Sequence, residues 1–384
     1  MTQRLNAPSV LLAATATGTA GAIVFALLPI LIGQLADKFQ LDDTQLGLIS
    51  SAYFSVYSIV ALTAPLWIRR CNWRAMAVGG FVSLLAGLVV LAQSTSSTRV
   101  AVAMAIAGAG AAVLLPISLA LVAAMHNKDR VYGIVVALQQ LVPTLLLFGI
   151  SGALLGEYGL TSTVGSIGAV VVLMLLLSFA LPKQGHATVE AAPATSTSSI
   201  PAVVGLIGLA LNFAGFAAMW TFLERIAAGS ALEQDYTARW IAVGLCMTAV
   251  GPMISAALTN RLPRTLLLIL PTLTAVSSLL LLTGGTTPAA FAGVLVVFPL
   301  TYYITLSVIL GVIADTDPNG RVQSLMSFAL ACGALVGPGL FGAMRTSDST
   351  IALLLIALSL VGGIVLLLWA DRTTRLTEGA PGNG

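Results

Sequence analysis

Charge is scarce in this sequence. Of its 384 residues only 8% are Asp, Glu, Lys or Arg, against 58% hydrophobic, whereas a soluble globular domain carries about a quarter of its residues as charge. That shortage excludes a soluble fold, which would leave far too much apolar side chain facing water. The net charge is only +3, with no basic tail and no aromatic-basic patch, so a nucleic-acid partner is not expected. Cysteine is nearly absent too. Cys71, Cys246 and Cys332 have no paired spacing, which argues against a disulfide framework, and they are read as packing residues. His126 and His186 fall in polar connections far from any cysteine cluster, so no zinc site or other cofactor is expected. The chain lacks a Gly-x-x-x-x-Gly-Lys phosphate loop, which excludes ATP hydrolysis by that route. It also lacks a His-Glu-x-x-His motif and paired aspartates inside apolar runs, so an intramembrane enzyme has no catalytic set to work with.

What the chain has is apolar runs, each about the 20 residues a helix needs to cross a bilayer. They fall at 10–35, 44–67, 75–93, 99–125, 131–155, 161–181, 201–224, 237–259, 265–283, 288–314, 321–344 and 349–369. The first continues through Leu31 and Ile32, well past the roughly 7–15 apolar residues of a signal peptide, and reads as a retained span. Pro182 to Ile200 is rich in Ala, Thr, Ser and Pro and reads as a flexible linker. The expectation is an all-α membrane protein of twelve transmembrane helices: a six-helix bundle over 1–181, a linker over 182–200, and a second six-helix bundle with a short tail over 201–384.

The halves echo one another. The turn after the second span carries Arg69, Arg70 and Arg74, and the turn after the eighth carries Arg261 and Arg264. The fifth span opens Arg130-Val131 and later reads Leu141-Val142-Pro143, while the eleventh opens Arg321-Val322 and later reads Leu335-Val336-Gly337-Pro338. A duplicated unit, hence two pseudo-symmetric bundles, accounts for both pairs. With the N-terminus inside, only Lys38, Arg99, Arg225, Arg239 and Arg345 of the 17 basic residues lie outside. This positive-inside bias puts both termini and the linker in the cytoplasm.

Ionisable groups within spans are costly in lipid and become functional candidates by default. Glu224 and Arg225 close the seventh span, with Arg239 at the start of the eighth; Glu224 is a candidate proton carrier, half of a gating or structural ion pair with either arginine, or a solvated helix end. Asp37, beside Lys38 at the outer end of the first span, is a further gating candidate or a solvated helix end. Asp129-Arg130, Asp315, Asp317 and Arg321 border inside turns, where pairs would latch that face or simply lie solvated. Nearer mid-span stand uncharged polar and aromatic groups: Tyr53 and Tyr57 on one face of the second span, Gln139 and Gln140 in the fifth, Asn212 and Trp220 in the seventh, and Thr301, Tyr302, Tyr303 and Thr305 in the tenth. They form the candidate substrate-binding set, the alternative being hydrogen bonding between helices without solute contact.

Six plus six helices, an inside linker and basic turns after spans two and eight together resemble the major facilitator superfamily over the whole chain. That resemblance implies two bundles around a central cavity open alternately to each side. The family's Gly-x-x-x-Asp-Arg-x-Gly-Arg-Arg turn is matched by Ala64-Pro65-Leu66-Trp67-Ile68-Arg69-Arg70-Cys71-Asn72-Trp73-Arg74, with Ile68 at the acid and Cys71 at the second glycine. The second copy, Asn260-Arg261-Leu262-Pro263-Arg264, keeps two arginines and has Asn260 for the acid. Gly108-Ala109-Gly110-Ala111-Ala112 resembles part of a fourth-span motif whose arginine, linked in the family to proton coupling, is replaced by Met104. The expected function is therefore secondary transport of a small organic solute by a monomer in a plasma or bacterial inner membrane, with protons as a candidate coupling ion. A membrane receptor or scaffold, and multidrug efflux within transport, are the alternatives.

Overall fold

Prolines and polar pairs punctuate the apolar runs, and the helices of the protein end at the same places. The structure, a computed structural model, describes residues 8–41, 43–125, 127–153, 159–182, 200–230, 232–283, 286–316, 322–344 and 349–379. Most of the expected linker lies outside the described residues, as do Asp317, Arg321 and both histidines.

The first span is α1 (Pro8–Ala26) followed by α2 (Leu28–Phe39). It breaks at Leu27, two residues before Pro29, which has no backbone N–H to bond to the preceding turn. The second span is α3 (Asp43–Leu62) and the short α4 (Ala64–Trp67), broken in the same way ahead of Pro65. Then come α5 (Trp73–Ala92), α6 (Ser97–Ala123), α7 (Lys128–Ala153) and α8 (Gly159–Ser178). Asn72 caps α5, its side-chain oxygen accepting from the backbone N–H of Arg74 at 3.0 Å and of Ala75 at 3.3 Å. The later spans are α9 (Ile200–Gly229), α10 (Gln234–Leu258), α11 (Arg264–Leu279, extended by a 3₁₀ turn), α12 (Pro288–Thr316), α13 (Met326–Met344) and α14 (Ser349–Gly379). Helix α6 runs through Pro116, α7 through Pro143 and α12 through Pro299 without interruption.

Every expected span is thus met by a helix or a broken pair. Among the described residues, 10 helical segments are long and apolar enough to cross a membrane. The fifth span, which carries Lys128, Asp129, Arg130 and two glutamines, and the eleventh, with the shorter apolar stretch Met326–Gly337, are the others. The largest boundary difference is at α14, expected to stop at 369 and found to run to Gly379. Hydropathy marks where lipid ends and not where the helix does. Beyond Trp369 the helix is continued by an i,i+4 ion pair from Arg375 to Asp371 at 3.0 Å, and by Thr373 and Thr374 hydroxyls donating to carbonyls one turn back.

The chain forms two compact units, one of Met1–His126 with Leu138–Thr188, the other of Asn127–Ala137 with Val189–Gly384. The first turns of α7 belong to the second unit and the rest of that helix to the first. In the first unit α6 packs on α5, α3 and α1, and α8 on α5 and α1; in the second, α9 packs on α14, α13 and α12, and α12 on α10 and α11. Lipid offers no hydrophobic reward for helix association, so close packing and polar contacts must hold such units together. Burial is uneven in a telling way. In the first unit α1 and α6 are 72% and 67% buried over their apolar windows, against 39% or less for the second, third and sixth spans; in the second, α9 and α12 reach 61% and 83%, against 44% or less for the eighth, ninth and twelfth. The same two positions of each six, first and fourth, are therefore interior helices.

Candidate functional site

The interior of the second unit is aromatic. Phe213, Phe216 and Trp220 recur at three- and four-residue spacing and so share one face of α9. That face meets Phe298, Tyr302 and Tyr303 of α12. Phe216 is the centre: its ring stacks on Tyr302 at 4.1 Å between centroids and 15°, on Phe298 at 5.9 Å and on Trp220 at 5.8 Å, and it takes the edge of Tyr303 at 5.4 Å. These are the offset-stacked and T-shaped arrangements that the ring quadrupole favours. Asn212, next to Phe213, donates from Nδ2 to the Leu360 carbonyl at 3.2 Å. Among the described residues its Oδ1 has no hydrogen-bond partner, and neither has the Tyr302 hydroxyl; both are buried.

The first unit buries polar groups on α1, α3, α6 and α7. Ser118 donates to the Ala14 carbonyl at 2.7 Å and receives the Gln139 amide at 3.4 Å. Gly18 makes room for this: a Cβ there would run into the Gln139 amide and the Ser118 hydroxyl. Gln34 reaches Thr163 at 2.9 Å, while the Tyr53 hydroxyl is buried with no partner and its ring packs near Tyr57 and edge-on to Phe54.

A third constellation is ionic and lies at one end of the second unit. Arg264, at the start of α11, donates through Nε and Nη2 to both oxygens of Asp129, at 2.7 and 2.8 Å. The same Nη2 reaches Asp315 of α12 at 2.6 Å, and Nη1 reaches Asp371 of α14 at 3.2 Å. Lys128 also pairs with Asp315 at 2.8 Å, and Arg375 completes the set on Asp371. One guanidinium therefore ties together four helices, and its planar fork suits the bidentate bond to Asp129. Gly311 of α12 lies directly against Asp129, where any Cβ would strike the carboxylate. The corresponding arginine of the first unit, Arg74, meets no acid among the described residues; it donates to the Leu181 carbonyl at 2.8 and 3.3 Å. Ile68, at the position of the family's acid, contributes its carbonyl instead, taking the indole N–H of buried Trp73 at 2.5 Å.

Comparison with known proteins settles the family. The family model described as Major Facilitator Superfamily matches residues 10–338. The chain belongs to that superfamily. Among solved structures, a variant of the E. coli fucose:proton symporter FucP superposes with a TM-score of 0.73 at 18% identity, covering 95% of this chain and 99% of the symporter. FucP in the outward conformation gives 0.71, also at 18% identity, over 96% and 99%. At that identity the likeness shows the fold alone. No curated protein matches the chain in sequence.

Within this superfamily fold, the substrate-binding candidates divide between the units. Tyr53, Tyr57, Gln139 and Gln140 belong to the first, and Asn212, Trp220, Tyr302 and Tyr303 to the second; all are buried. Gln139 has an interhelical partner in Ser118. Of the gating candidates, Arg239 is exposed, and the side chains of Asp37, Glu224 and Arg225 lie outside the described residues. Among the turn arginines, Arg69 is half-buried and Arg261 exposed, while Arg74 and Arg264 make the bonds given above. Sequence reasoning missed Asp371 and Phe216. Asp371 was detectable as the first acid after a long apolar run, and Phe216 as the middle of the Phe213, Phe216, Trp220 spacing.

Proposed function

We propose that this superfamily transporter is a secondary active carrier that moves a small organic solute by alternating access. The observation that supports it is the set of buried, unpartnered polar atoms on Tyr53, Asn212 and Tyr302. Buried polar groups normally find partners, and a solute passing through the protein supplies one intermittently. Solute contact is assigned to Tyr53, Tyr57, Gln139, Gln140, Asn212, Trp220, Tyr302 and Tyr303. The bundles are taken as 1–181 and 201–384, joined by a cytoplasmic linker. The Arg264 cluster then lies on the cytoplasmic side with both termini, in a plasma or bacterial inner membrane, and serves as a latch that engages in one state of the cycle. The carrier works as a monomer. FucP, similar in fold, is described as a fucose:proton symporter, which makes protons the first coupling ion to test and Glu224, the acid closing the seventh span, the first residue.

The experiment is uptake into proteoliposomes with and without an imposed pH gradient, in wild type and Glu224→Gln. Gradient-driven accumulation lost in the variant, with exchange retained, supports proton coupling through Glu224. Accumulation unchanged by the substitution removes Glu224 from the mechanism.

A further inference from the structure

In the first unit a cavity of about 270 Å³ lies where the apolar spans Trp73–Ala92 and Ser97–Ala123 end, hence at one membrane boundary. It is lined by Val90 and the C-cap Gln93 on α5, and by Thr98, Arg99 and Val102 on α6. Its position follows from the packing beneath it. At Gly87 the two helices come so close that a Cβ would strike the Ala103 and Ala107 backbone; one turn further out, where Val90 and Gln93 replace glycine, they leave a gap. The lining changes character within one turn on both helices. Gln93, Thr98 and Arg99 are polar and stand at the rim, whereas Val90 and Val102, three residues further into their spans than Gln93 and Arg99, are apolar. Below Gln93 an exposed apolar stripe of Val89, Ala86 and Val82 continues along one face of α5. Helix stability does not account for Arg99, which lies in the first turn of α6, where the helix dipole disfavours a cation and no acid offsets it. Among the described residues its guanidinium makes one hydrogen bond, from Nη1 to the Thr95 hydroxyl at 3.5 Å, and none of the five residues lining the cavity is acidic.

We propose that this cavity binds the headgroup of an anionic diacyl phospholipid. The Arg99 guanidinium takes the phosphate oxygens, as its fork of donors suits, while the Gln93 amide and the Thr98 hydroxyl take the remaining polar atoms of the headgroup. The first carbons of the acyl chains lie against Val90 and Val102, and a chain runs on along Val89, Ala86 and Val82. Polar rim and apolar wall are therefore arranged along the helix axes, in the order in which a lipid presents its own parts across a membrane boundary. A free phosphate would leave the apolar half of the lining unused, and an uncharged lipid would leave the arginine without a counter-charge at the edge of the hydrocarbon. The site stands within the first unit and is independent of what the protein carries.

The test uses full-length protein stripped of lipid in detergent and titrated with dioleoyl phosphatidylglycerol, the occupancy of the tightest-bound lipid being read by native mass spectrometry. Dioleoyl phosphatidylcholine, dioleoyl glycerol and the soluble anion glycerol phosphate are titrated in parallel. Wild type is expected to hold phosphatidylglycerol more tightly than phosphatidylcholine and about tenfold more tightly than the diacylglycerol, the worth of one charge-assisted contact, with glycerol phosphate failing to displace it at equal concentration. Arg99→Gln is expected to lose that tenfold, and Arg99→Lys, which keeps the charge, to retain most of it. Val102→Trp fills the cavity and leaves the charge in place, so it is expected to weaken phosphatidylglycerol by a similar factor. Binding unchanged in Arg99→Gln or in Val102→Trp, or phosphatidylglycerol held no tighter than phosphatidylcholine or the diacylglycerol, would overturn the proposal. Displacement by glycerol phosphate at equal concentration would overturn it in favour of a free-anion site. A lower thermal midpoint for lipid-free Arg99→Gln than for lipid-free Arg99→Lys would overturn it as well, by giving the guanidinium a carboxylate partner within the protein.

Discussion

Arg264→Met isolates the ionic cluster, because the replacement keeps an unbranched apolar stem and removes the charge and the five donors. Three carboxylates lose a partner at once, but unequally. Asp315 keeps Lys128 at 2.8 Å, and Asp371 keeps Arg375, itself 59% exposed at its side chain. Asp129 keeps no ion pair among the described residues, and its side chain is only 10% exposed. Breaking a buried pair by removing one partner costs about 3–5 kcal/mol, because the remaining charge is left uncompensated. With one carboxylate truly orphaned and two retaining partners, the lower end, about 3 kcal/mol, is expected. That corresponds to a fall of about 6–12 °C in thermal midpoint for a unit of this size, read by intrinsic fluorescence or scanning calorimetry in one detergent. Asp129→Asn alone leaves Arg264 with two acids and is expected to cost about half as much; combined with Arg264→Met it recovers part of the loss, giving a coupling of about 1–2 kcal/mol. An Arg264→Met protein melting within a degree of wild type would refute the reasoning. So would strict additivity in the double variant.

Gly311→Val places a branched side chain where Asp129 sits against α12; a loss of about 2 kcal/mol is expected, and because both changes act on one contact it should add little to Arg264→Met in the same melting assay. Gly18→Leu displaces the Gln139 amide from its place beside Ser118, with an expected cost of about 1–3 kcal/mol, partly rescued by Gln139→Ala. Arg74→Ala removes bonds to a single carbonyl and strands no charge, so its midpoint should fall by less than half that of Arg264→Met, about 1 kcal/mol.

The helices were legible because the bilayer imposes their length and apolar character; the breaks in the first and second spans lie just ahead of Pro29 and Pro65, but α6, α7 and α12 run unbroken through Pro116, Pro143 and Pro299, so proline alone does not report a break. The repeat was legible from basic turns, yet its two copies act differently. Arg74 and Arg264 stand at equivalent helix starts, but the acids that distinguish them, Asp129, Asp315 and Asp371, come from three other helices distant in sequence. No local pattern reports that convergence. At Gly18 and Gly311 the close neighbours are polar side chains, which only tertiary contacts reveal. The aromatic set was half visible: Tyr302, Tyr303 and Trp220 drew notice for their polar handles, while Phe216, the ring at the centre, has none and looks in sequence like any apolar residue of a span.

The central claim is that this chain carries a solute, and the most direct measurement is entrance counterflow at equal pH on both sides. Proteoliposomes preloaded with the unlabelled small organic solute that most raises the thermal midpoint in a metabolite screen are diluted into a trace of the same solute, radiolabelled. A carrier predicts transient accumulation of label above equilibrium, absent from protein-free vesicles. Saturable binding of the solute with no counterflow, in vesicles shown to hold folded protein, would contradict the account.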